Sequence, residues 1–300
     1  MRTVAVTGAS GLIGTALTAA LKKRGDRVVP IGRRPPAGGV AWDLAARQID
    51  EAALEGVDAV IHLAGERIDG RWTATKKRRI LDSRVEGTEV LAGALAGLGR
   101  PPAVVVSASA VGFYGDRGDE ELTEDSPPGT GFLAEVCERW EAAAAPIASP
   151  DTRLVLARTG IVCAPDGGAL GRMLALTRLG LGGRLGNGRQ WWSWITLEDE
   201  VRALLHLLDT PVAGPMNLVA PGTCRNAEFV RTLARALRRP AVLPAPALAL
   251  RAVLGEMANG LLLASARVQP VGLEDSGFSF RSPDLTSAIA ELLSPGRVRS

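Results

Sequence analysis

The chain has 300 residues, a formal charge of +3 and 46% hydrophobic residues, enough for one large or two closely packed domains around a real core. So small a charge, with no like-charged run longer than Lys76-Lys77-Arg78-Arg79, argues against nucleic-acid binding. Cys137, Cys163 and Cys224 are scattered without metal-ligand spacing and fit a reduced, cytoplasmic setting, and no secretory leader or unbroken membrane-length apolar run is visible.

The first half alternates strand and helix. Residues 4–6 read as a buried strand leading into Thr7-Gly8-Ala9-Ser10-Gly11-Leu12-Ile13-Gly14 and a helix over 12–24. The G-x-x-G-x-x-G spacing gives each glycine a task. Gly8 turns the chain, Gly11 lets the backbone approach a pyrophosphate, and Gly14 lets the helix pack close to the strand. The helix start then offers free N–H groups and partial positive charge to phosphates. A plain tight turn is the alternative, but a strand before and a helix after is the context that dinucleotide binding requires.

Residues 27–31 are a second strand, followed by Gly32-Arg33-Arg34. An NAD-specific fold places an acid about 20 residues past the glycines, on the ribose 2′-hydroxyl. Here two guanidinium groups stand instead, and arginine suits a phosphate. The spacing therefore predicts NADP (NADPH), with Arg33 or Arg34 on the 2′-phosphate. The alternative is two solvated loop arginines.

Residues 40–42 form a short third strand ending at Asp43, and 59–63 a fourth. A helix over 73–98 is closed by Gly99 and Pro101. Residues 103–107 are a fifth strand, 131–145 a helix and 153–157 a sixth strand. This alternation predicts an α/β fold, a doubly wound parallel sheet of Rossmann type, over residues 1–160. Past Gly160 the pattern loosens into glycine-rich loops. Helices are expected at 197–208, 226–238 (with Asn226 as N-cap) and 286–293, and a strand at 216–219. The apolar stretch 244–266, broken by Pro246, Arg251, Glu256 and Asn259, reads as core helices. Residues 161–300 are thus expected to form a smaller α+β substrate lobe over the carboxyl edge of the sheet, with later segments returning to the first domain.

Residues 7–14, Asp43-Leu44, 59–65 and 107–115, in that order, resemble the short-chain dehydrogenase/reductase superfamily, extended or atypical branch. Arg71-Trp72-Thr73, Ser83-Arg84-Val85, 107–118, Leu122-Thr123-Glu124, 132–137, 182–195 and Gly277-Phe278-Ser279-Phe280 resemble its atypical epimerase-family subgroup, which has a small C-terminal domain. The resemblance covers essentially the whole chain. It implies a cofactor set of Gly8, Ser10, Gly11, Leu12, Ile13, Gly14, Arg33, Arg34, Asp43, Leu63, Ala64, Gly65 and Ser107, with Asp43 near the adenine. It also implies an oxidoreductase or epimerase acting on a small molecule. A non-catalytic NADP(H)-sensing regulator or protein-binding module is the competing reading, and a homodimer is compatible with either.

The chain departs from that family at its chemistry. Members use Tyr-x-x-x-Lys on the helix after the fifth strand, the lysine lowering the tyrosine pKa. Here the two places fall on Leu133 and Cys137, or on Phe132 and Val136. The remaining candidates for proton transfer are Ser109, Tyr114, Glu66 and Glu135. His62, in an apolar strand, reads as a core histidine, and Cys137 as a buried inert thiol. A tryptophan stands where nucleotide-sugar enzymes of this type carry an arginine. Trp192 and Trp194 are therefore expected to line a substrate pocket that rejects sugar diphosphates.

Overall fold

The computed structural model describes residues 1–294. In chain order the first part comprises β1 (Thr3–Thr7), α1 (Leu12–Lys23), β2 (Arg27–Gly32), β3 (Val40–Asp43), β4 (Gln48–Ile49), β5 (Ala59–His62), α2 (Ala74–Ala96), β6 (Val104–Ala110), β7 (Glu121–Leu122), α3 (Phe132–Ala144) and β8 (Arg153–Thr159). The rest comprises β9 (Ile161–Cys163), α4 (Gly168–Arg178), β10 (Trp191–Trp192), β11 (Trp194–Thr196), α5 (Leu197–Asp209), β12 (Gly214–Leu218), β13 (Cys224–Arg225), α6 (Asn226–Ala236), α7 (Ala247–Leu254), β14 (Arg267–Val268), α8 (Val271–Asp275) and α9 (Leu285–Leu292).

One eight-stranded sheet runs in the order β12-β8-β6-β5-β1-β2-β3-β4. Its pairings are parallel except β3 with β4. Successive strand residues point to opposite faces, so each apolar run serves two cores. Val4, Val6, Ile61, Val106 and Val155 pack with Leu17 and Leu21 of α1 and Leu204 and Leu207 of α5. Ala5, Val60, Val105 and Leu154 face Leu91 and Leu95 of α2 and Ala144 of α3. Coverage on both faces explains why these strands read as unbroken apolar runs. Each fully buried leucine stabilises the fold by roughly 1.5–3 kcal/mol.

The chain leaves β1 towards β2 and β3 on one side. It later returns at β5 and winds towards β6, β8 and β12 on the other. The order therefore reverses between β1 and β5, and the crevice at their carboxyl ends is where open parallel sheets take ligands. Residues 197–218 return to this sheet as α5 and β12. A separate core of Leu170, Leu174, Phe229, Leu233, Ile289 and neighbours joins α4, α6 and α9.

The antiparallel β4 has only two residues, too few to leave a periodic signal, and two expectations are corrected. Asn226 does not cap α6: Arg225 occupies that place, and the buried Asn226 Oδ1 accepts from the Leu185 N–H at 2.8 Å. The 244–266 stretch is not core throughout. No residue of α7 is buried, and Leu248 and Val253 are 78% and 69% exposed. Only its end, with Leu261, Leu262 and Met257, packs towards Trp72, since apolar composition does not say which side a neighbour covers.

Candidate functional site

The glycine turn sits at the switch point. Gly8 has φ +66°, and a Cβ there would lie 2.9 Å from the Leu63 carbonyl carbon. A Cβ on Gly14 would stand 2.1 Å from the Gly8 carbonyl oxygen. Both positions therefore exclude side chains for backbone reasons, one at the turn and one at the helix–strand approach. Gly11 begins α1 with no side-chain cap, and the first turn holds no acidic residue. Ser10, Gly11 and Leu12 are exposed and Ile13 is half-buried, so the first N–H groups of α1 face outward unpaired.

Thr7 Oγ1 fixes the neighbouring wall. It accepts from the Leu63 and Ala64 N–H groups at 2.9 and 3.0 Å and lies 2.8 Å from His62 Nδ1. With both lone pairs used, the Thr7 proton goes to Nδ1. His62 is then the Nε2–H tautomer, and it donates to Thr88 Oγ1 at 3.1 Å. Trp140 Nε1 donates to the same oxygen at 3.0 Å. Burial, then the charge of Arg84, hold the His62 pKa down to about 4. It is a satisfied core histidine, as its setting in an apolar strand suggests.

Arg33 and Arg34 follow β2 beside the glycine turn. Both are exposed, and neither has an ion-pair partner among the described residues. Asp43 Oδ1 accepts from the Ala45 and Ala46 N–H groups at 2.9 and 3.1 Å, closing its own turn. Ser107 is fully buried, and its hydroxyl has no partner among the described residues.

At the β6 end the polar groups pair with one another. Ser109 Oγ donates to Glu141 Oε1 at 2.6 Å. Arg158 grips the same carboxylate with Nε and Nη2, both at 2.8 Å, and lies over the Phe113 ring at 3.6 Å. Burial opposes the Arg158 charge, but the Glu141 hydrogen bonds and charge prevail and raise its pKa. Arg158 Nη1 also donates to Tyr114 Oη at 3.0 Å, and Tyr114 Oη donates to Asn217 Oδ1 at 2.7 Å.

Three proton-transfer candidates are corrected by this geometry. Tyr114 is fully buried, and burial pushes its pKa up, so it ties the 111–114 turn to β12 instead of meeting a substrate. Glu66 Oε1 accepts from Lys76 Nζ at 2.7 Å, and that hydrogen bond leads in lowering its pKa. It is held as a paired carboxylate, the opposite of a base raised by burial. Glu135 lies on the exposed face of α3, paired with Arg139. Ser109 stands at the strand end as expected, but it is 4% exposed and its hydroxyl is committed to Glu141. The sequence reading missed Glu141, Arg158 and Asn217, because their partners lie 17 to 103 residues away.

On α3, Leu133 and Cys137 face the turn after β6: a Cβ on Gly112 would meet Leu133 Cβ at 3.2 Å and Cys137 Sγ at 3.7 Å. Phe132 and Val136 instead pack with Trp72. Of the two pairs, Leu133 and Cys137 are thus the one that faces the β6 end. Cys137 is buried, and burial pushes its thiol up to about 12, so it is inert.

The substrate role of Trp192 and Trp194 is also corrected. They are 4% and 0% exposed and belong to the core that joins α4, α6 and α9. Trp192 packs edge-on against Phe229, and Trp194 Nε1 donates to the Gly222 carbonyl at 2.9 Å. The two do not lie on one exposed strand: β10 pairs with β13 and β11 with β9.

The family model for NAD-dependent epimerase/dehydratase proteins matches residues 4–219. This chain belongs to that family. A domain of unknown function matches residues 245–292 of this family member. The epimerase family protein Mb2239 of Mycobacterium bovis is 46% identical over 290 residues, covering 95% of this chain and 96% of its own. The crystal structure of the human epimerase family protein SDR39U1 with NADPH superposes with a TM-score of 0.91 at 38% identity, covering 97% of this chain and 99% of that one. A nucleoside-diphosphate sugar epimerase of Corynebacterium glutamicum gives 0.81 at 37% identity, covering 97% of this chain but 58% of that one.

Proposed function

We propose that this chain binds NADP(H) and acts in the cytoplasm as an oxidoreductase or epimerase on a small molecule. The reading rests on the uncapped start of α1 behind Gly8, Gly11 and Gly14, beside two unpaired arginines at the end of β2. The phosphates would meet the first N–H groups of α1, and Arg33 or Arg34 would hold the 2′-phosphate. Asp43 would lie on the adenine side, with Leu63, Ala64 and Gly65 lining the path towards β6. The human relative crystallised with NADPH supports this choice of cofactor. The three cysteines are free, in keeping with a reduced compartment.

When bound, the nicotinamide supplies or takes up a hydride. Ser109 commits its proton to Glu141, so it offers a substrate an acceptor and suits an alcohol O–H better than a carbonyl. Titrating NADPH against wild type and Gly11→Val tests the cradle. The variant should stay folded, since Gly11 is exposed with an ordinary φ of −77°, yet lose the cofactor. Normal NADPH binding by that variant would overturn the reading.

The regulator reading draws on one observation: α3 carries neither tyrosine nor lysine, and the pair that faces the β6 end, Leu133 and Cys137, is apolar and inert. A panel of carbonyl compounds and alcohols separates the two. Turnover of cofactor with any of them supports an enzyme, and tight binding with no turnover at all supports a sensor.

A further inference from the structure

Arg84 is the one guanidinium of the crevice that burial has isolated. Its Nη1 donates to two carbonyl oxygens, Glu66 O at 3.0 Å and Ile80 O at 3.1 Å. No carboxylate pairs with it among the described residues, because Lys76 takes the Glu66 carboxylate. Trp140 covers it from below, with the guanidinium carbon 5.0 Å from the ring centroid. Burial lowers its pKa. Neutral carbonyls compensate a half-buried guanidinium poorly, and its free donors suit an anion.

Its open edge lies at the crevice. A Cβ on Gly65 would meet the guanidinium carbon and both terminal nitrogens at 3.1–3.3 Å. Gly65 is exposed and follows β5 at the switch point, and Arg84 itself is only half-buried. An arginine there can take two oxygens of a carboxylate side by side.

We propose that Arg84 binds the carboxylate of the substrate, making the substrate a small organic acid. This rests on the NADP(H) reading for the hydride partner, but the anion site stands independently of it. A phosphate of the dinucleotide shares the same oxyanion chemistry and is the other source to be distinguished.

The test titrates oxalate and its neutral counterpart oxamide, with and without saturating NADP⁺, against wild type, Arg84→Met and Arg84→Gln, with NADPH affinity measured on each. Arg84→Gln keeps a donor for the two carbonyls and guards against loss of folding, followed by near-ultraviolet circular dichroism. Wild type should prefer oxalate over oxamide by about 10-fold or more, both variants should lose that preference, and NADPH affinity should stay within about 2-fold. Absence of the preference in wild type, or its survival in Arg84→Gln, overturns the assignment. A drop of about 10-fold in NADPH affinity with oxalate preference unchanged also overturns it, since the guanidinium then serves the cofactor. Oxalate selectivity that depends on Arg84 in a protein unable to bind NADPH upholds the anion site and defeats the cofactor reading alone.

Discussion

At the β1–β2 end of the crevice the donors stand free, whereas at the β6–α3 end they are paired. The first end offers uncapped N–H groups and two exposed arginines. The second holds Ser109, Glu141, Arg158, Tyr114 and Asn217 in one connected set. A surface built for a ligand of fixed shape can leave donors in water at little cost until the ligand arrives. Buried groups cannot wait in that way and must satisfy one another. The paired end therefore contributes rigidity, and the group left outside that set is Arg84.

The sharpest way to break this contrast is to open the paired end. Glu141→Leu would strand the nearly buried Arg158 and should cost about 3–5 kcal/mol in denaturant unfolding, while Glu141→Leu with Arg158→Met should recover much of it. A loss under about 1 kcal/mol would mean that the set is not coupled as described. Trp192→Ala should cost a similar 3–5 kcal/mol. NADPH affinity should stay within about 2-fold, as expected of a core residue remote from the cofactor.

His62 gives a pH-resolved version of the same test. Its folded pKa of about 4 lies below the ordinary 6.5. Above pH 6.5 both states are neutral there and nothing is lost. As pH falls from 6.5 to about 4 the unfolded chain takes a proton that the folded one refuses, and about 3 kcal/mol of stability disappears. Glu200 runs the other way: burial raises its pKa to about 8 from 4.5, so its share is present at low pH and lost as pH rises towards 8. Unfolding free energies of wild type and His62→Gln across pH 4 to 7 isolate the histidine, and parallel curves would discount its neutral, buried state.

The free end should respond most mildly. Arg33→Ala with Arg34→Ala should weaken NADPH by about 1.5–3 kcal/mol per lost phosphate contact and leave NADH unchanged. Stability should move by no more than about 0.5 kcal/mol, as for exposed side chains elsewhere. Equal weakening of both cofactors would assign the arginines to a shared group.

How much was legible in the sequence follows the same divide. The glycine turn, the arginines after β2 and the strands of the parallel sheet are local patterns, set by neighbours a few residues away. Trp192 and Trp194 were misread because a family position does not say which way a side chain faces, and at Ser193 the chain changes partners from β13 to β9. Tyr114 was misread because its partner Asn217 sits 103 residues on. Arg84 was quoted as part of a motif with no role, since only the fold brings it beneath Gly65.

The margins of the main sheet carry a last consequence. On one side it stops at β4, two residues running antiparallel to their neighbour. On the other it stops at β12, whose second residue is Pro215. Short outer strands and proline blunt the row of unpaired amides that would otherwise recruit another chain. Two copies of this protein are thereby discouraged from joining into a continuous sheet, and self-association would have to proceed through helical faces such as the uncovered leucine and valine side of α7.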